Sequence, residues 1–534
     1  MRMFHVLLLD EGTYESCRNG FWMEDKNRNP HHIMEKTPFM SEPATGTARS
    51  GYTLLILSIS LATFMAALDG TIVNIALPTI SEAFNVSTTT VSWVATAYLL
   101  VMAGCVLVFG KVSDIIGFKR VFLVGFVIFT LGSFACGLLP DLLNSLNILI
   151  ASRMFQAIGG AMITAIGPAM VTAFIPMDQK GKAMGIVMTL AALGTALGPS
   201  IGGVLVQYLS WHWIFFINVP IGIFAVLLGA KVIPMSGSGG SLAGFDRPGA
   251  LLAFTGLASL LFVVSEGESM GWTSPIILGL SVLTILLLSA FVLQECRAGD
   301  PLLDLSLFKD KNFLAINLLL SLVFFSYAGI NYLLPFYLKY IRGIDTSTAG
   351  LILTALSVAM MIAGFLSGLL FNRVGPKKLC IAAGLLLVAG YFCIMRLHVD
   401  TALVYVVACL VLIGLGLGFM VTPASNLIMN AVAKTKQGMV SSLTSLERFA
   451  PLTLGIAVFN MIFLWGVTTI AANHEVTHLS PVDMQKTVIS AGFDLAFLGS
   501  FVLGIGILIL ALVIRQEIHP DNLGKEDEIG PGMI

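Results

Sequence analysis

GKVSDIIGFKR, residues 110–120, and GLLFNRVGPKK, residues 368–378, are the two stretches on which the fold turns. Each follows a long apolar run. Each keeps Gly at its first position, a polar residue four on, Gly seven on and a base ten on. The matched residues are Gly110, Asp114, Gly117 and Arg120 in one copy and Gly368, Asn372, Gly375 and Lys378 in the other. One such match arises easily by chance, but two in register, each after the second apolar run of a set of six, point to a duplicated chain.

Outward from these loops the chain is a succession of apolar stretches, each long enough to cross a hydrocarbon core of about 30 Å. Fourteen spans are expected, near 52–78, 91–110, 121–139, 146–173, 183–206, 213–233, 249–265, 275–294, 312–338, 348–371, 379–395, 401–423, 439–469 and 491–514. Composition agrees: 57% of the 534 residues are hydrophobic, 11% are charged, and mean hydropathy is +0.91. A chain of soluble domains would need far more charge at its surface. A formal net charge of −1 gives no reason to expect nucleic acid as a partner.

Basic residues fall in the N-terminal segment, the C-terminal tail and the gaps after even-numbered spans, from Lys111, Lys119 and Arg120 to Lys434 and Lys436. The alternate gaps hold only Lys339, Arg342, Arg396 and Lys486. The positive-inside rule therefore places both termini in the cytoplasm, which needs an even number of spans. The expected organisation is a cytoplasmic, disordered segment at 1–50 and a six-helix bundle at 51–234. A linker with two inserted helices follows at 235–311, then a second six-helix bundle at 312–514 and a cytoplasmic tail at 515–534. The linker opens on the Gly/Ser-rich MSGSGGSLAGFDRPG, residues 235–249. Cys105, Cys136, Cys380, Cys393 and Cys409 lie in or beside spans, as packing residues do, and suggest no disulfide framework.

GKVSDIIGFKR resembles motif A of the major facilitator superfamily. LDGTIVNIALP, residues 68–78, is similar to the first-span signature of its fourteen-span drug:proton antiporter branch, the EmrB/QacA-like transporters. ASRMFQAIGGA, residues 151–161, resembles motif B, and GTALGPSIGG, residues 194–203, resembles motif C, the antiporter motif. WHWIFFINVPIG, FDRPGALL, PLLDLSLF and LPFYLKYIRGIDTSTAG are also similar to that branch, so the likeness covers about residues 50–515. His212 stands where Arg is usual, Asn372 replaces an acid, and Pro451 replaces a common Gly.

The resemblance implies an all-α integral membrane protein of the cytoplasmic (inner) membrane, with two six-helix bundles and two extra central helices. It implies an antiporter that exports lipophilic or cationic drug-like compounds by alternating access. A proton gradient supplies the energy, and no cofactor is needed. The same machinery suits an endogenous metabolite, siderophore or lipid. If the cell is Gram-negative, a periplasmic adaptor and an outer-membrane channel become partners beside the bilayer, the small substrate and protons. A polytopic membrane enzyme is a remote alternative that would need clustered acids or metal ligands. No Walker A sequence is present. His474-Glu475-Val476-Thr477-His478 spells a metalloprotease signature, but in a short loop with no third ligand, so no metal site is expected.

Candidate site residues follow from charge in the wrong solvent. Asp69 lies about nine residues from the outer end of span 1 and Arg153 about seven from that of span 4, so both sit roughly 10–14 Å deep. Ionisable groups there face the interior or a watered cavity. Burial and a neighbouring arginine act in opposite senses on a carboxyl's proton affinity, a balance a transporter can exploit. Proton coupling is accordingly assigned to Asp69, Arg153 and Glu447, against the alternative of a fixed ion pair joining spans 1 and 4. Gly110, Asp114, Gly117 and Arg120 form the gating motif, with Asp114 pairing with Arg120 or capping a helix of the other half. Gly194, Gly198, Gly202 and Gly203 with Pro199 are expected to bend span 5 and seal it against the second half. Tyr327, Asn331, Tyr332 and Arg448 are expected to line the substrate cavity, where π faces hold lipophilic or cationic molecules.

Lys339 and Arg342 test the topology. A single cysteine in place of Arg342 should react with a membrane-impermeant maleimide from outside intact cells. Labelling from the cytoplasmic side alone would invert the assignment.

Overall fold

In hydrocarbon the backbone has no hydrogen-bond partner except itself, so long apolar runs with few charges fold as helix. The computed structural model describes residues 47–517 apart from 176, 236–245, 268–269, 299–302, 398–400, 433–436 and 472–480. Among the described residues there is no strand, and fourteen helices are long and apolar enough to cross a membrane. The first six are α1 (Thr47–Phe84), α2 (Thr88–Ile116), α3 (Phe118–Leu142), α4 (Leu146–Phe174), α5 (Met177–Tyr208) and α6 (Asn218–Val232), the last entered through a single turn at Trp213–Phe216. An inserted pair follows, α7 (Arg247–Glu266) and α8 (Pro275–Arg297). The final six are α9 (Lys311–Phe336, continued as a wider turn to Ile341), α10 (Thr346–Val374), α11 (Pro376–Ile394), α12 (Leu403–Asn430), α13 (Gln437–Ala471) and α14 (Pro481–Val513). Most of the segment expected to be disordered, 1–46, lies outside the described residues.

Helix starts are set by local chemistry. Ser87, Ser274 and Asp345 each accept a hydrogen bond from the backbone N–H three residues on, at the heads of α2, α8 and α10. Gly117 and Gly375 end α2 and α10 and begin the next helix with φ of 94° and 86° and ψ near 145°. These are the second glycines of the two matched loops, so the repeat in sequence is also a repeat in backbone conformation. α1 does not stop at Pro78, where the apolar run suggested an end, but continues to Phe84. A proline inside a membrane helix is tolerated where neighbours engage the backbone around it. Here Tyr340 Oη donates to the Pro78 carbonyl at 3.4 Å.

Packing repeats the duplication. In the first set α1 packs on α4, α5 and α6, α2 on α4, and α3 on α4 and α6. In the second set the same positions pair: α9 with α12, α13 and α14, α10 with α12, and α11 with α12 and α14. The two bundles meet along α5–α10 and α2–α13, the second and fifth helices of each set exchanged. The inserted α7 lies on α2 and α13, over one of these seams. α8 turns Ile276, Leu278, Val282, Ile285 and Leu286 outward, as a lipid-facing helix does.

The small-residue face of α5 divides its work differently from the expectation. Gly194, Gly198 and Gly202 lie against α1: a Cβ on Gly202 would come within 2.7 Å of Ile72 and Ile75, and one on Gly194 would strike the Phe64 carbonyl oxygen. Gly203 alone of the four faces the second bundle, 2.6 Å from a Cβ to Thr346 O, beside the close approach of Gly350 to the Pro199 carbonyl. The reason is angular. Residues four and eight apart share a face, and the next residue turns about 100° away. Ser200 Oγ and Thr354 Oγ1, 2.5 Å apart, continue the same seam.

Polar contacts close the end that carries the α1–α2 and α9–α10 turns. Lys339 Nζ reaches Glu82 Oε2 at 2.7 Å, and Tyr332 Oη donates to Thr88 O at 2.7 Å. Asn460 Nδ2 donates to Thr89 Oγ1 at 2.9 Å. Each joins one bundle to the other.

Gly117→Ala and Gly375→Ala should each destabilise the protein by about 1–3 kcal/mol, because an L side chain is strained at that φ and ψ. Thermal unfolding in detergent measures this. An unchanged midpoint in both would remove the conformational argument.

Candidate functional site

Five helices converge on one carboxylate. Asp69, in mid-α1, is 0% exposed, and Arg153, on α4, is 1% exposed. Arg153 Nη1 donates to Asp69 Oδ2 at 2.8 Å. Asp69 Oδ1 accepts from Gln156 Nε2 and from Asn218 Nδ2, both at 2.9 Å. Gln156 also accepts from Arg153 Nη1 at 2.6 Å and donates to Ser133 Oγ of α3 at 2.7 Å. Arg153 Nε donates to the Val94 carbonyl of α2 at 3.3 Å, and its Cζ lies 3.9 Å over the Tyr98 ring. Gly132 makes the approach possible, since a Cβ there would sit 2.6 Å from Gln156 Cα.

The structure therefore brings Asp69 and Arg153 together and surrounds them. Taking two charges out of water costs several kcal/mol each, offset only when geometry is good and the remaining lone pairs are satisfied. Both carboxylate oxygens have donors here, so in this conformation the group is a closed junction among α1, α2, α3, α4 and α6. Sequence reasoning did not find Gln156, Asn218 or Ser133. Gln156 had a signal, because residues three apart on a helix share a face and it sits three after Arg153. Asn218 had only its place inside WHWIFFINVPIG.

The second acidic candidate is differently placed. Glu447 is 7% exposed, and its Oε2 has no hydrogen-bond partner among the described residues. Arg448, the next residue, turns away from it and is exposed. Its guanidinium lies 5.8 Å over the Phe449 ring, within electrostatic reach of Tyr98 from the first bundle and Tyr327 from the second. The two neighbours form no ion pair among the described residues, since adjacent positions on a helix point about 100° apart. Of the other residues expected in the cavity, Tyr327 is near-buried and Asn331 half-buried. Tyr332 is fully buried in the seam with α2 and presents no open surface.

The gating motif is only partly visible. Gly110 is half-buried in α2, Gly117 carries the turn, and Arg120 is exposed at the head of α3. The side chains of Asp114 and Asn372 lie outside the described residues, as does the His474–His478 pattern. Among the described residues no group of three or more His, Cys, Asp or Glu is placed to hold a metal. His212, where the resemblance expects Arg, sets Nε2 2.8 Å from Asp141 Oδ2.

Residues 59–456 match the model of the Major Facilitator Superfamily. The chain is 35% identical over 415 residues to the riboflavin transporter RibZ of Clostridioides difficile (strain 630), covering 78% of this chain and 89% of that one. It is 30% identical over 444 residues to the multidrug transporter protein MdtP of Bacillus subtilis (strain 168), covering 83% and 81%. It is 30% identical over 481 residues to the puromycin resistance protein pur8 of Streptomyces alboniger, covering 89% and 93%. Among solved structures, a bacterial homolog of the human lysosomal transporter Spinster superposes with a TM-score of 0.62 at 14% identity, covering 90% of this chain and 100% of that one. At that identity the likeness is one of fold.

Removing one partner of the buried junction should cost about 3–5 kcal/mol, since the other charge is stranded. Asp69→Asn is expected to lower the thermal midpoint in detergent markedly, and Asp69→Asn with Arg153→Met should regain part of the loss. A single variant as stable as wild type would show that the pair does not hold the bundle.

Proposed function

The chain belongs to the Major Facilitator Superfamily, and from that membership we propose a proton-coupled exporter of lipophilic, drug-like compounds working by alternating access. The protein is a multi-pass transporter of small molecules in the cytoplasmic membrane, not an enzyme. Relatives named for multidrug transport and for puromycin resistance support export. The observation that carries the coupling is Glu447, a mid-span carboxyl on α13 whose Oε2 has no hydrogen-bond partner among the described residues, beside an Arg448 that does not pair with it. A carboxyl of that kind exchanges its proton with whatever water reaches it, so access decides from which side the proton comes. Asp69, with every oxygen engaged, acts in the same cycle only if its junction opens.

Alternating access fits the division of contacts. Each bundle is packed densely within itself, whereas the bundles are joined by separable polar links such as Lys339–Glu82, Tyr332–Thr88 and Asn460–Thr89. Under the positive-inside assignment these links close the outer face. Breaking them and opening that face is then a rigid-body rocking of one bundle against the other. A second reading, a narrow vitamin or metabolite transporter, draws on the RibZ relative and shares the same cavity.

Proton release from acidified everted vesicles tests the coupling. Addition of lipophilic dyes, or of riboflavin, is expected to release protons in wild type. Glu447→Gln should slow that release at least tenfold at unchanged protein level, and Asp69→Asn should do so in proportion to its loss of folded protein. Response to riboflavin alone would select the second reading. A wild-type rate in Glu447→Gln would remove that residue as the carrier.

A further inference from the structure

Two thiols of the second bundle face each other at one end of a tight helix pair. α11 and α12 run antiparallel, and glycines let their backbones close on one another. A Cβ on Gly416 would lie 2.7 Å from Leu387 Cγ, and one on Gly390 would lie 2.6 Å from Ile413 Cγ1 and 3.4 Å from Ile413 Cα. With a carbon–carbon bond of about 1.5 Å, the Gly390 and Ile413 Cα atoms are less than about 5 Å apart. One step along this seam toward the α11–α12 turn, three residues on in α11 and four back in α12, stand Cys393 and Cys409. Residues at those spacings share a helix face. The step beyond is fixed as well, because Tyr405, four residues before Cys409, donates from Oη to the Cys393 carbonyl at 3.0 Å. Cys409 is thus held between two residues of its own face, Ile413 and Tyr405, which touch Gly390 and Cys393 in turn. Its thiol has the Cys393 thiol and the Tyr405 hydroxyl as polar neighbours.

Both cysteines are free thiols in this structure. Cys393, next to the last residue of α11, is half-buried, and Cys409 is 1% exposed. A disulfide needs Cα atoms about 4.4–6.8 Å apart, closer than the roughly 8–10 Å between the axes of most packed helices. Gly390 and Gly416 bring α11 and α12 into that range. Under the positive-inside assignment this end of the pair lies at the outer face, away from the reductants that keep cytoplasmic thiols reduced. Arg396, exposed three residues after Cys393, sets its guanidinium 5.2 Å over the Phe392 ring, so the same end carries a positive charge that draws anionic reagents. We propose that Cys393 and Cys409 are a redox-convertible pair, oxidised by a small soluble disulfide to a link that staples α11 to α12. The Cys393 thiolate, the more accessible, attacks one sulfur of the reagent and releases the other half. The Cys409 thiolate then attacks Cys393 Sγ and releases the second half. Two protein thiols are oxidised, one reagent disulfide is reduced, and the two protons end on the two released thiols. The staple lies within one bundle, so the α5–α10 and α2–α13 seams stay free to move.

The pair depends on the fold and not on what is transported. Its test adds oxidised glutathione to the purified full-length protein in detergent and then blocks free thiols with N-ethylmaleimide. The protein is digested and its peptides weighed without reductant. Most of the wild type should yield a linked peptide pair carrying Cys393 and Cys409, two hydrogens lighter than the sum of its parts and separated by dithiothreitol. Cys409→Ser should stop at the mixed disulfide, with glutathione on Cys393, and Cys393→Ser should leave Cys409 without glutathione. The thermal midpoint of wild type should rise on oxidation and return on reduction, with no such rise in Cys409→Ser. Recovery of the two cysteines unlinked in wild type, or with a separate glutathione on each, overturns the proposal, whether or not the variants fold. A link that forms without raising the midpoint removes the staple. Glutathione on Cys409 in Cys393→Ser would overturn the order of attack.

Discussion

A hydrocarbon solvent offers neither a hydrogen bond nor a counter-ion, and every feature of this protein answers that constraint. The backbone closes its own bonds as helix along fourteen spans. Charges that enter the spans either find partners inside or mark a place where water and ligand arrive. Asp69 and Arg153 take the first course, with Gln156, Asn218 and Ser133 completing the set. Glu447 Oε2 has no such partner among the described residues, and Arg448 does not pair with it. Asp69, with donors on both oxygens, thus contrasts with Glu447.

Close helix contact is the other requirement, because lipid tails are as apolar as the side chains they would replace. Association then depends on shape. α5 approaches α1 through Gly194, Gly198 and Gly202, and approaches α10 through Gly203, so one helix ties its own bundle together and also meets the other. The second contact is backed by Gly350 from the opposite side. The α2–α13 seam has a different character. It is held near one end by hydrogen bonds from Tyr332 and Asn460, and it is covered by the inserted α7. Two seams related by the duplication have thus been finished in different ways, one by close backbone approach and one by exchangeable polar links.

Function follows from where compensation is incomplete. The Asp69 carboxylate has donors on both oxygens, and five helices meet around it. Glu447 and Arg448 lie instead on α13, which packs on α2 of the first bundle and α9 of the second.

Much of this was legible in the order of residues alone. Apolar run length determined the number of spans, since crossing the bilayer sets a minimum number of helical residues. The Gly110–Arg120 and Gly368–Lys378 spacing determined the duplication, and the structure repeats it in the positive φ of Gly117 and Gly375. The presence of Asp69, Arg153, Glu447 and Arg448 inside spans marked them as interior groups, because lipid would not accept them. What only the tertiary structure decided is which of these charges is satisfied. The partners that close Asp69 lie 87 and 149 positions away, on helices whose rotation about their own axes no run of residues records. The same rotation turned Gly203 toward α10 and its three companions toward α1, and placed Tyr332 in a seam rather than a cavity. Depth in the membrane can be read along one chain, but direction around a helix is fixed only when the neighbouring helices are in place.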